Sequence, residues 1–384
     1  MELSNRLLRA ACGERRADRE GRLGHEMLSY VDRLARGGAG LVILGHGYVR
    51  RDGRLTDNET GLDRDDLVPR LRLVARQIQR AGSRAAIQLS HGGRQCRPAV
   101  IETTPLSPSP IEVRKTGVMP RALEQEEIED LITAFGEGAR RAKEAEFDAV
   151  QIHGAHGYLI SEFLSPVTNR RDDSWGGSPE KRRRFLLEVI QAVRAAVGAE
   201  YPLLLKLNLD DCVPGGIPLE EAVDAAVASE EAGVSAIEVT GGMVDSEKGA
   251  ARKDIQPGRQ EAYFRPLARA LKEEVSIPRI LVGGLKSIQV ISDVIESGDA
   301  DAVALGRPLI REPHLVLDWQ DGRQEPAECV SCNRCALYKD RVLRCESLIL
   351  EQEQEEEGLQ GPGGRVSGGS GGPGGRARDG DPLF

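Results

Sequence analysis

The chain has 384 residues, 40% of them hydrophobic, 29% charged and only 4% aromatic, with 44 glycines. It can bury a sizeable core, and its length suits either two or three domains or one α/β barrel. A formal net charge of −9 without a long basic run argues against nucleic acid or an anionic membrane as partner.

No apolar run approaches the roughly 18 residues that span a bilayer. The charged start, MELSNRLLRAACGERR, lacks the apolar stretch of a signal peptide. The expectation is a cytoplasmic protein that acts on small molecules, with a homo-oligomer left open.

Short apolar runs recur along the chain, at Arg6–Ala11, Ala39–Leu44, Ala85–Leu89, Asp148–Ile152, Pro202–Asn208, Ala236–Thr240, Arg279–Gly283 and Ala302–Leu305. Segments with helical spacing lie between them, at Asp65–Arg80, Gln125–Glu144, Pro179–Val197, Leu219–Ala232, Glu261–Glu274 and Ser287–Ser297. Strands this short and apolar are buried on both faces, as in a parallel sheet. Eight strand–helix units predict a single closed (β/α)8 barrel over residues 1–320. No GxGxxG follows any strand, which removes the main support for a doubly wound alternative.

In a barrel the chemistry sits on loops at the strands' C-terminal ends. After the fourth run comes HGAHGYLISEFLSPVTNRRDDSWGGS, with His153, His156 and Tyr158 inside six residues. Two imidazoles can hold a developing oxyanion, and a phenol can deliver a proton. A zinc site is a weaker reading, because no acidic or third histidine ligand follows at metal spacing. Val282–Gly283–Gly284 ends the seventh run and Leu305–Gly306–Arg307 the eighth, where barrels commonly hold a phosphate. Lys206 inside the apolar run LLLKLN is costly unless it meets negative charge.

The long segment after the fourth strand resembles the signature loop of the old yellow enzyme family, the FMN-dependent ene-reductases. GGAGLVILGHGYV, AIQLSHGGR, LLLKLN, ILVGGLKS and DAVALGRPLI extend the likeness over roughly residues 4–320. The resemblance implies FMN, with NAD(P)H as co-substrate and an activated alkene such as an α,β-unsaturated carbonyl as acceptor. It implies that Ala11 and Cys12 line the flavin, Gln88 meets its pyrimidine edge and Lys206 stabilises its reduced anion. Independently of that likeness, Gly283, Gly284 and Gly306 with the bidentate cation of Arg307 suit the phosphate of such a flavin. Where many members carry a flavin-tuning Thr or Cys, Gly13 stands here, with Cys12 next to it as the other candidate. Few residues precede Asn5, so the expectation is a less covered barrel floor or a longer native N-terminus.

Cys329, Cys332, Cys335 and Cys345 crowd one segment, with spacing C-x2-C-x2-C-x9-C. Four thiolates so close suggest a metal in a reducing compartment, either [4Fe–4S] or zinc. The segment resembles the iron–sulfur stretch of the dienoyl-CoA reductase and trimethylamine dehydrogenase branch, although its second gap is one residue shorter. Two other functions stay open: amine dehydrogenation or demethylation on the same scaffold through a cluster, and non-enzymatic flavin or metal binding. Residues 321–350 read as a Cys-rich extension and residues 351–384, acidic and then glycine-rich, as a disordered tail.

Overall fold

The structure, a computed structural model, describes residues 1–336 and 342–359. Eight strands close on themselves: β1 Leu7–Arg9, β2 Leu41–Tyr48, β3 Arg84–Ser90, β4 Ala149–Gly154, β5 Leu203–Asn208, β6 Ala236–Thr240, β7 Arg279–Val282 and β8 Ala302–Leu305. Each pairs in parallel with the next, and β1 pairs with both β8 and β2, so the sheet has no open edge. This is the expected (β/α)8 barrel.

Alternation along each strand builds the interior in layers. Leu8, Leu41, Ala86, Ala149, Leu204, Ile280 and Ala304 form an apolar plug. Two residues further along their strands, Gln88, Gln151, Lys206 and Glu238 form a buried polar layer. His153, Asn208 and Thr240 follow two residues later still, and they too are buried. Side chains at intervening positions, such as Val150 and Ile152, join the larger core under the helices.

The helix between β1 and β2 spans His25–Arg36 and buries Met27, Tyr30, Val31, Leu34 and Ala35, one stripe of a 3.6-residue period. Gln125–Glu144, Pro179–Val197 and Leu219–Glu231 follow the expected spacing closely. Two expected helices are shorter. The first begins at Val68, after a 3-10 turn over Asp65–Leu67, because Pro69 fits only the first helical turn. The second covers only Arg265–Ala270, again opened by a proline, while Glu261 turns back to accept bonds from the Lys286 and Ser287 amides at 2.7 and 2.9 Å.

Residues Met1–Cys345 form one compact unit, and the helix Glu346–Leu359 belongs to another. That helix runs through residues 351–359, the first part of the expected tail. Their Glu, Gln and Leu content favours a helix despite the absence of any motif. Residues 360–384 of the expected tail lie outside the described residues. Among the described residues no helix is long and apolar enough to cross a membrane.

Candidate active site

The end of β4 and the loop after it carry three aromatic rings into the barrel mouth. His153 is the last inward-facing residue of β4, and its ring centroid lies 5.1 Å from that of His156 and 4.9 Å from that of Tyr158, edge-on to both. His156 adopts a left-handed backbone with φ of 62°. The Asn208 side chain accepts from its N–H at 3.1 Å, and Gln95 donates to its carbonyl at 2.9 Å. A strained residue pinned from both sides is preorganised. Its Nε2 lies 3.0 Å from the Thr240 hydroxyl. Tyr158 opens the short helix Leu159–Leu164.

Burial dominates the protonation of this cluster. It drives both His153 and His156 well below the usual imidazole range, with Lys206 adding to the effect, so both rings are neutral at pH 7. The Tyr158 phenol is pushed up by the same desolvation, and Glu59 and Cys96 add to it. Tyr158 is therefore a phenol and not a phenolate at neutral pH. The buried Nδ1 of His153 has no hydrogen-bond partner within the protein, an orphan that suits a bound molecule.

Two cavities meet beneath these rings. The smaller, about 150 Å³, is bordered by Ala11, Cys12, His156, Lys206, Gly284 and Arg307, with Gly283 and Gly306 in the same wall. The larger, about 360 Å³, reaches Cys12, His46, Glu59, Tyr158, Arg307 and Cys335. Cys12 and Arg307 face both. Gly284 has φ of 73°, and a Cβ there would lie 2.7 Å from the Tyr263 ring, so no side chain fits that corner. Arg307 Nη1 donates to the Arg252 carbonyl and the Asn333 side chain, both at 2.6 Å, which fixes the guanidinium in the shared wall. Backbone and cation thus converge where a phosphate was expected. Small wall residues and an oriented arginine fit a flavin mononucleotide.

Lys206 and Gln88 belong to one buried hydrogen-bonded chain across four strands. Gln88 donates to Gln151 at 2.7 Å, Gln151 to Glu238 at 2.7 Å, and the Lys206 ammonium lies 2.7 Å from the other Glu238 oxygen. Lys206 still borders the smaller cavity, whereas Gln88 spends its amide nitrogen on a neighbouring strand. Gln151 and Glu238 were missed, although each is the odd polar residue of its apolar run, in AVQIHG and AIEVT.

His46 and Glu59 were also missed. His46 Nδ1 lies 2.7 Å from Glu59 Oε1, and its ring centroid is 5.6 Å from that of Tyr158. A histidine breaking the glycine pair in LGHG was the available signal.

The expected metal set is not assembled. Among the described residues no group of three or more His, Cys, Asp or Glu side chains is arranged to hold a metal. Ser331 and Asn333 take left-handed conformations, and the Ser331 carbonyl and the Asn333 side chain accept from Arg307. Cys335 borders the larger cavity, and its thiol is pushed up to about 12 by burial, then by Cys12, Cys329 and Cys345.

Comparison with known proteins agrees with this geometry. The pattern of the NADH:flavin oxidoreductase / NADH oxidase family matches residues 1–326. An NADH oxidase of Thermoanaerobacter brockii is 38% identical over 351 residues, covering 89% of this chain and 53% of that protein. A solved 2-naphthoyl-CoA reductase in complex with 2-naphthoyl-CoA superposes with a TM-score of 0.84 at 28% identity, over 89% of this chain and 54% of that one. An old yellow enzyme homologue from Zymomonas mobilis superposes with a TM-score of 0.73 at 28% identity, over 84% of this chain and 91% of that one. The chain spans about half the length of the first two.

Proposed function

The chain belongs to the NADH:flavin oxidoreductase / NADH oxidase family, and from that premise we propose that it is an FMN-dependent reductase of α,β-unsaturated carbonyl compounds, with NAD(P)H as electron source. The observation that carries this reading is the cluster of two neutral histidines and one protonated tyrosine, of which His156 borders the cavity with Gly284 and Arg307, and Tyr158 the adjoining one that Arg307 also lines. When bound, FMN supplies the hydride chemistry, and the protein supplies position and electrostatics.

Arg307 and the backbone at Gly283, Gly284 and Gly306 would hold the phosphate. Ala11 and Cys12 would line the ring system, and Lys206, tied to Glu238, would place positive charge beside it. His153 and His156, being neutral, hydrogen-bond the substrate carbonyl oxygen and stabilise the charge that develops there. Tyr158 gives its proton to the α-carbon. The relative solved with a naphthoyl thioester supports a carbonyl conjugated to an unsaturated system as the substrate class. The Cys segment as arranged does not fit a metal.

The test is an anaerobic two-step absorbance experiment on purified protein. A flavin band should bleach with NAD(P)H and return with an enone. Protein that is colourless and takes up no FMN would overturn the reading.

A further inference from the structure

His46 and Glu59 are not used by this mechanism, yet they form a built pair against its acid. Glu59 is buried and doubly fixed. Its Oε2 accepts from the Leu55 N–H at 2.6 Å, and its Oε1 lies 2.7 Å from His46 Nδ1. That bond aims the opposite imidazole nitrogen, Nε2, toward Gly13, where a Cβ would stand 3.6 Å away. Gly13, which has no side chain to fill that space, borders the larger cavity together with His46 and Tyr158. The two rings lie 5.6 Å apart between centroids, tilted by 57°. The His46 side chain keeps 15% exposure, an edge through which solvent can exchange a proton.

We propose that His46, oriented by Glu59, is the proton donor that recharges Tyr158 after each turnover. This role rests on Tyr158 being the acid of the site. Once Tyr158 has given its proton to the substrate carbon, the phenolate oxygen takes the proton from His46 Nε2. The resulting neutral imidazole regains a proton from water, while Glu59 keeps its hold on Nδ1. Only protons move, and each one lost is replaced from solvent.

The other rings cannot serve. His156 Nε2 is engaged with Thr240, and burial keeps both His153 and His156 neutral, with no proton to spare for a phenolate. The charged and titratable groups facing His46 are Glu59 on the loop after β2, Glu14 and Arg15 on the loop after β1, and His153 and Tyr158 from β4 and its loop. Glu14 is itself paired with Arg9 at 2.7 Å. Burial works against a charged His46, but the Glu59 charge and hydrogen bond outweigh it and hold the imidazole above its ordinary value. His46 is therefore the one ring of the cluster poised to carry a proton near neutral pH.

The experiment is the pH profile of enone-dependent flavin reoxidation under turnover, with NMR titration of the His46 ring. A donor that must be protonated makes the rate fall as pH rises through its raised pKa. His46→Gln should abolish that alkaline limb and slow turnover at pH 7 on the order of 10²-fold, the lower edge of a general-acid contribution. Glu59→Gln should move both the limb and the NMR midpoint to lower pH while His46 is still present. Bound-flavin absorbance reports whether each variant is folded. An unchanged limb in His46→Gln, with Tyr158→Phe still slow, overturns the relay and leaves the site reading intact. If Tyr158→Phe reoxidises at the parent rate, the acid assignment falls and the relay with it.

Discussion

The Lys206 ammonium and one Glu238 carboxylate oxygen meet 2.7 Å apart inside the closed barrel, both side chains nearly excluded from water. The other carboxylate oxygen takes the Gln151 amide, and Gln151 in turn takes Gln88. A buried charge pair of this kind stabilises little relative to apolar packing, but losing one partner strands the other. Its value here is positional, since it holds a cation at the cavity wall.

Glu238→Gln should accordingly destabilise the protein by about 3–5 kcal/mol, by leaving Lys206 buried without its counter-charge. The double variant Lys206→Met with Glu238→Gln should recover much of that loss. Denaturant unfolding checks both. A single variant as stable as the parent would show that the pair carries no such constraint.

Arg307→Ala removes a charge-assisted phosphate contact worth roughly 1.5–3 kcal/mol. FMN should then bind at least tenfold more weakly, while riboflavin, which lacks the phosphate, should bind almost as before. Flavin fluorescence titration measures both affinities, and an equal FMN affinity in variant and parent would place the phosphate elsewhere.

Tyr158→Phe keeps the ring that packs on His153 and His46 and removes only the hydroxyl. Reduction of the flavin by NAD(P)H should survive. Reoxidation by an enone should slow by roughly 10²–10⁴-fold, the size of a general-acid contribution. Stopped-flow absorbance separates the two half-reactions.

Glu162 gives a pH prediction for stability. It is fully buried, with Oε1 accepting the Arg94 N–H at 2.9 Å and Oε2 without a partner. Burial raises its carboxyl to about 8 from an ordinary 4.5, against the opposing pull of Arg94. The folded state therefore binds this proton more tightly than the unfolded chain. The contribution is complete below the unfolded value and is lost as pH rises from there through the folded one. Glu162→Gln should be more stable than the parent at pH 9 by a few kcal/mol, since each tenfold difference in proton affinity is worth about 1.4 kcal/mol. The gap should close toward pH 5. Parallel stability curves across that range would show that Glu162 ionises as it does in water.

Gly284→Ala should weaken FMN binding and stability together. The residue sits at φ of 73°, and a Cβ would lie 2.7 Å from the Tyr263 ring. A left-handed non-glycine residue costs on the order of 1–2 kcal/mol before that clash is counted. Thermal melts with and without FMN would detect it. A variant that binds and melts like the parent would show that the corner can relax.

Local sequence specified the eight strands and the loop that carries His156 and Tyr158. Apolar runs buried on both faces, such as LLLKLN and AVALGRP, declare themselves locally, and His153, His156 and Tyr158 are neighbours along one loop. Chain continuity alone brings them together. The glycines after β7 and the Gly306–Arg307 step were legible for the same reason, because a backbone corner is a local property. Partnerships that depend on barrel closure were not legible. Gln88 reaches Gln151 across 63 residues, and Gln151 reaches Glu238 across 87, so the destination of Lys206 was invisible until β3, β4, β5 and β6 were placed side by side. His46 acquired its role only when the loop carrying Glu59 folded back over β2 and the loop after β4 brought Tyr158 against it. The cysteine run shows the opposite case. Its spacing suggested a metal set, but Arg307 and Asn333, 26 residues apart and drawn together by the fold, decided where its backbone went.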